Sequence, residues 1–139
     1  LEVASGLVKT GHYTRRRRRE FLDFMNQVVA QYPDRPIHVI LDNLNTHKPR
    51  CDRWLKRHPQ VHLHFTPTYA SWLNQVEIWF SILSRKCLRR ASVRSTQDLR
   101  NLIHRFIQTW NTHFAHPFEW TYTGKPLAVA PQHYELLAA

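Results

Sequence analysis

At 139 residues, with five Trp, seven Phe and five Tyr, the chain suits one domain that buries roughly two-thirds of the surface its unfolded form would expose. Twenty Lys and Arg against ten acids leave a formal charge of +10, which favours a polyanionic partner through phosphate neutralisation and counterion release, with nucleic acid ahead of a membrane surface. Three Gly and eight Pro exclude a flexible linker protein, no run of about eighteen apolar residues exists to span a membrane, and Cys51 and Cys87 lack the spacing of a zinc cage or disulfide framework, so a reduced, cytoplasmic or nucleoid-associated setting is expected.

Leu1 to Val3 and Leu7 to Tyr13 read as two short strands of a hairpin around the turn-forming pair Ser5-Gly6. The chain opens at Leu1 without Met and enters strand-like sequence at once, so a further N-terminal part is expected. From Arg19 to Tyr32, Phe21, Met25, Val28, Val29 and Tyr32 recur at helical spacing, and Pro33 and Pro36 end the pattern. Ile37 to Asp42 is a near-continuous apolar run, which predicts a strand covered on both faces. Pro49 can open a short helix burying Cys51, Trp54 and Leu55, and Val61 to Phe65 alternates apolar residues with His as a further strand.

After a loop over Thr66 to Ala70, Ser71 can cap a helix running to about Arg90, with Trp72, Val76, Trp79, Phe80, Leu83 and Cys87 in one stripe. Ser95-Thr96-Gln97-Asp98 has the form of a capping box, followed by Leu99, Leu102, Ile103, Phe106, Ile107 and Trp110 on one helix face. From His113 onward no period is visible, which predicts an ordered loop and a weakly structured tail. The element order describes an α/β domain with a mixed sheet, a hairpin at one side and parallel strands at the other.

Two carboxylates stand out. Asp42 ends an apolar strand and Glu77 lies in the apolar stretch from Ser71 to Phe80, with thirty-four residues between them. A charge in apolar surroundings needs a partner, and a divalent cation is one. Phosphodiester cleavage is served by two Mg²⁺ ions about 3.5–4 Å apart, and such hard cations need few carboxylates because they keep several waters. Glu20, Asp23, Asp34, Asp52 and Asp98 fall at helix starts or loops, where surface or dipole roles suffice. A capped loop for Asp42 and a core salt bridge for Glu77 are the structural alternatives.

At these residues the chain resembles the DDE-type transposases of the bacterial insertion-sequence and mariner superfamily, whose catalytic domain is ribonuclease H-like. Val39-Ile40-Leu41-Asp42-Asn43 followed by Thr46-His47-Lys48 is similar to that family's second-Asp motif. Phe65-Thr66-Pro67 through Trp72-Leu73-Asn74-Gln75-Val76-Glu77 is similar to its third-acid motif, and Phe118 to Thr123 resembles the segment that closes these domains. The resemblance covers residues 1–127, read as a truncated catalytic domain, and leaves 128–139 as a C-terminal tail.

The resemblance implies a mixed sheet flanked by helices and Mg²⁺, with Mn²⁺ as substitute, held by Asp42 and Glu77. It also implies hydrolysis at transposon ends and then attack by the freed 3′ hydroxyl on target DNA. The family's first Asp has no counterpart here. By the resemblance it belongs on a first, central strand before residue 1, so weak or absent activity is expected, together with self-association or strand exchange through unpaired strand edges. A non-catalytic remnant that binds DNA or an intact transposase is the alternative, and a retroviral-type integrase is disfavoured by the motif spelling.

Supporting roles follow from position. Asn43, His47 and Lys48 are close enough to Asp42 to orient a bound water or touch a phosphate, and Asn74 shares a helix side with Glu77. The run Arg15, Arg16, Arg17, Arg18 and Arg19 opposes the positive end of the following helix, so contact with DNA phosphates is weighed against a solvated charge run. Arg85, Lys86, Arg89 and Arg90 lie where the helix dipole alone would favour cations, yet near enough to Glu77 to hold a DNA strand. His62 and His64 share a strand face, but no Cys or further His is spaced to complete a zinc site with them. Trp72, Trp79 and Trp110 read as core.

Overall fold

The computed structural model describes residues 1–49, 53–68 and 73–117. Helix α1 (Arg18–Ala30), strand β1 (Ile37–Leu41), the short helix α2 (Trp54–Arg57) and strand β2 (Val61–Phe65) form one unit. Helix α3 (Val76–Leu83), a π-helical turn over Ser84–Leu88 and helix α4 (Thr96–His113) form another. The result is a mixed α/β chain with a two-stranded parallel sheet and flanking helices.

The strands pair in the register Ile37↔Val61 through Leu41↔Phe65. Backbone hydrogen bonds from Ile37 to Gln60 and from Thr66 to Leu41, each 2.8 Å, continue the ladder at both ends. Ile37, Val39, Val61 and Leu63 pack on Met25 and Val29 of α1 and on Trp54 of α2. Trp54 is fixed further by its indole N–H, which donates to Asn26 Oδ1 at 2.7 Å. The expectation that β1 is covered on both faces is overturned: its burial alternates, and His38 and Ile40 are exposed on the side away from α1. One apolar face is all that two amphipathic helices can fill, and β2 matches it by turning His62 and His64 outward.

The second core joins Val8, Trp79, Leu83, Ile107 and Trp110. Trp79 and Trp110 meet edge to face at 6.4 Å, a geometry that the ring quadrupole favours. Ser95 Oγ accepts from the backbone N–H of Asp98 at 3.0 Å, so the predicted cap of α4 forms. The π-turn inserts one extra residue, closing with Arg89 N–H on Ser84 O at 2.8 Å. Phe80 departs from the predicted stripe and is half exposed, while burial on Leu83 and Trp79 continues at Cys87 and Leu88.

The predicted hairpin is absent: residues 1–17 contain no strand. Hydrogen bonds from Glu2 to Leu7 and from Gly6 to Glu2 close a tight turn instead. Gly6 has a φ of +71°, and a Cβ there would meet the backbone of His116, so glycine is required. Beyond the turn, a side chain takes the place of a neighbouring strand. Asn111 accepts from Val8 N–H and donates to Val8 C=O, each at 2.9 Å. The same segment bridges the two cores, since Val8 enters the helical one while Lys9 contacts Gln31 and lies 4.5 Å over the Tyr32 ring.

Candidate active site

Asp42 is the first residue beyond β1, at the C-terminal end of the parallel pair, where open α/β sheets place their ligands. Its Oδ1 accepts from Leu44 N–H at 3.3 Å and lies 2.6 Å from His47 Nδ1. The His47 approach is not aligned as a hydrogen bond, so it acts as a charge contact when the ring is protonated. Asn43 Nδ2 donates to Thr66 O at 2.5 Å, which ties the Asp42 loop to the exit of β2. Thr66 itself is buried and also bonds Leu41, so it joins the ends of both strands.

Residues outside the motif hold this loop in place. Arg18 Nη1 donates to His47 O at 2.9 Å and to Thr46 O at 3.3 Å. The Phe21 ring sits 4.9 Å from the His47 imidazole, and the Arg18 guanidinium lies 5.3 Å over Phe21. Sequence reading assigned no such role to Phe21 or Thr66. Phe21 was legible only as a helix-stripe residue, and Thr66 only as the start of a loop.

Glu77 lies in the first turn of α3. Asn74 sets that turn: its carbonyl accepts from Glu77 N–H at 3.0 Å and its side chain from Val76 N–H at 3.4 Å. The helix therefore begins later than predicted, and Ser71 and Trp72 lie outside the described residues. With Phe80, Ser81, Ser84 and Arg85, Glu77 lies on an open face of α3 and the turn that follows it. No described residue makes an ion pair or hydrogen bond with its carboxylate. Arg85 donates to Ser81 O at 3.3 Å beside it.

The expectation of strongly apolar surroundings for both carboxylates is not met. The Asp42 side chain is 44% exposed and Glu77 is exposed as well. Burial is therefore no reason for a metal partner here; Asp42 lies just beyond β1 and Glu77 in the first turn of α3. Among the described residues, no group of three or more His, Cys, Asp or Glu is placed to hold a metal ion.

The arginine run divides by role. Arg17 pairs with Glu20, and this guanidinium draws the Glu20 carboxyl down to about 2. Arg18 is spent on the Asp42 loop. Arg15, Arg16 and Arg19 are exposed, as are Lys48, Lys86, Arg89 and Arg90. Gln75 Oε1 and Trp79 Nε1, one turn apart, are buried without a partner among the described residues. Cys51 and the closing segment from Phe118 onward lie outside the described residues. No helix among the described residues is long and apolar enough to cross a membrane.

Residues 1–100 match the family model described as DDE superfamily endonuclease. The insertion element IS630 uncharacterized 39 kDa protein of Shigella sonnei is 29% identical over 91 residues, covering 64% of this chain and 26% of that protein. The chain thus spans about a quarter of the length of that relative. No solved structure matches.

Proposed function

Because the chain belongs to the DDE superfamily of endonucleases, we propose that it is part of a DNA transposase catalytic domain of the insertion-sequence type, extending over residues 1–127, with DNA as its partner. The observation that carries this reading is the match of residues 1–100 to that family, with both candidate carboxylates inside the matched span. Asp42 directly follows β1, and Glu77 lies in the first turn of α3. The mixed α/β architecture is compatible with a ribonuclease H-like sheet.

The superfamily generally uses divalent metal ions. Two carboxylates that reach solvent are hard oxygen donors and fit Mg²⁺, with Mn²⁺ as substitute. When bound, the metal supplies Lewis-acid polarisation and charge neutralisation at the scissile phosphate. Asp42 and Glu77 would hold it. His47 and Asn43 fix the Asp42 loop, and Asn74 fixes the turn that presents Glu77. Arg15, Arg16, Arg19 and Lys48 on one unit, with Arg85, Lys86, Arg89 and Arg90 on the other, would neutralise backbone phosphates of transposon ends and target.

Holding two of the family's three carboxylates, the chain would be weak or inactive alone, and the strand edges left unpaired among the described residues would favour self-association. Joined to an upstream strand that carries the family's first Asp, the chain should nick transposon-end DNA in Mg²⁺ and lose that activity on Asp42→Asn. DNA binding without nicking by the joined protein would favour a non-catalytic remnant instead.

A further inference from the structure

The outer face of the sheet carries a cluster of imidazoles that the proposed transposase site does not use. Alternation puts His62 and His64 on the same face of β2, and the parallel register sets His38 of β1 opposite His62 and two register positions from His64. Sequence reading rejected a metal at His62 and His64 because no third ligand is near in the chain. The pairing of β1 with β2 brings His38 to His64 from twenty-six positions away, which makes a two-nitrogen group rather than a three-ligand one.

The contacts are close. His38 Nδ1 and His64 Nε2 are 2.9 Å apart, and the two ring centroids are 5.2 Å apart with planes 24° from parallel. The centroid separation equals that contact plus two ring radii, so the imidazoles meet edge to edge through a shared N–H···N proton. His62 stacks beside His38 at 4.9 Å and 22°. All three residues are exposed, while the opposite sheet face is committed to the core around Met25 and Trp54.

Two ring nitrogens held together in solvent by one proton are also placed for a metal ion. Metal–imidazole bonds of about 2.0–2.1 Å separate two neighbouring ligands by roughly 2.9–3.4 Å, for right-angled to tetrahedral geometry. The observed spacing already meets this range. Only side-chain rotation is needed to bring the lone pairs together, and the shared proton moves through solvent to the other nitrogen of its own ring, so both imidazoles bind neutral.

We propose that His38 and His64 form a bidentate surface site for a borderline transition-metal ion of the Zn²⁺, Ni²⁺ or Cu²⁺ class, with water in the remaining positions and His62 flanking it. Imidazole suits these ions, and no carboxylate or thiolate of the paired strands joins the face, so Mg²⁺ is selected against. The chain therefore presents two chemically different cation preferences: nitrogen donors on the sheet face and oxygen donors at Asp42 and Glu77. The proposal stands whether or not the transposase reading does.

The test is calorimetric titration of the whole chain with Ni²⁺ alone, then Zn²⁺ and Cu²⁺, each repeated in a large excess of Mg²⁺. One site should bind Ni²⁺ regardless of Mg²⁺. His38→Gln and His64→Gln should each weaken it at least tenfold, and His62→Gln should weaken it less. Both substitutions are on the solvent face, and unchanged far-ultraviolet circular dichroism confirms that the sheet remains. Ni²⁺ affinity unchanged in the His38→Gln/His64→Gln double variant would overturn the proposal. So would affinity lost on Asp42→Asn but kept in the double variant, because the Asp42–His47 contact would then be the site.

Discussion

Asp42 and Glu77 belong to units that hold their carboxylates differently. The sheet unit clamps the Asp42 loop from three directions: His47 beside the carboxylate, Arg18 on the loop carbonyls, and Thr66 receiving Asn43. The helical unit fixes the backbone of Glu77 through Asn74 and leaves its carboxylate without a partner among the described residues. Each unit has its own core, and the extended segment through Val8 and Lys9 ties them among the described residues. One carboxylate is thus positioned by its surroundings, whereas the other has no partner among the described residues and would be ordered by the cation of the proposed site.

The largest expected effects come from separating the two cores. Trp79→Ala should cost about 3–5 kcal/mol, because it leaves a large cavity among Leu83, Phe106 and Trp110. Amide-exchange protection should then fall in α3 and α4 while β1 and β2 keep theirs, and Trp54→Ala should give the reverse pattern. Simultaneous loss in both units would break the comparison.

Next in size is the support of the Asp42 loop. His47→Ala and Phe21→Ala should each weaken Mn²⁺ binding roughly 10–100-fold, the usual cost of losing a partner that orients a ligand. Ser81→Ala, beside Glu77, should change it little. Equal effects from both sides would show that the Glu77 carboxylate is also held before binding. Paramagnetic titration of free Mn²⁺ reads both outcomes.

Smaller still is the division within the arginine run. Each phosphate contact removed by Arg15→Ala, Arg16→Ala or Arg19→Ala should reduce the slope of log affinity against log salt by about 0.9 on duplex DNA. Arg18→Ala should lower Mn²⁺ affinity too, since its hydrogen bonds go to the Asp42 loop. An Arg18→Ala variant altered only in salt slope would remove Arg18 from the clamp.

The smallest effect concerns Glu20, at the start of the helix that carries Arg18. Its folded carboxyl is drawn from 4.5 to about 2 by Arg17, so the attraction is fully present above pH 4.5 and is lost as pH falls through 2. Thermal melts of wild type and Arg17→Ala should therefore converge across that window. The separation above it should be slight, because an exposed pair is screened by solvent.

The legible parts of the fold are those in which local signals agree with packing. The alternation over Val61 to Phe65 gives β2 with its bounds, and Ser95 with Asp98 gives the start of α4. The illegible parts depend on distant residues. The first thirteen residues are strand-like in composition, yet Asn111 satisfies Val8 from more than a hundred positions away, and no neighbouring strand lies beside them among the described residues. The run Ile37 to Leu41 reads as covered on both faces because Ile40 is apolar, although that residue is half exposed. For the candidate site, motif spelling singles out Asp42, Glu77, His47, Asn43 and Asn74, and the structure adds the loop and turn contacts that hold them. Arg18 was legible only as one of five cations, and its hydrogen bonds to the loop follow from the packing of α1 against the strand ends.

In the proposed function the clamped Asp42 carboxylate and the Glu77 carboxylate, unpartnered among the described residues, serve one cation site. Anomalous scattering from a crystal of the chain soaked in Mn²⁺ tests it most directly. The account predicts Mn²⁺ coordinated by both Asp42 and Glu77, as one ion or as two about 3.5–4 Å apart. Manganese on either carboxylate alone, with the other turned to a different face, would contradict it.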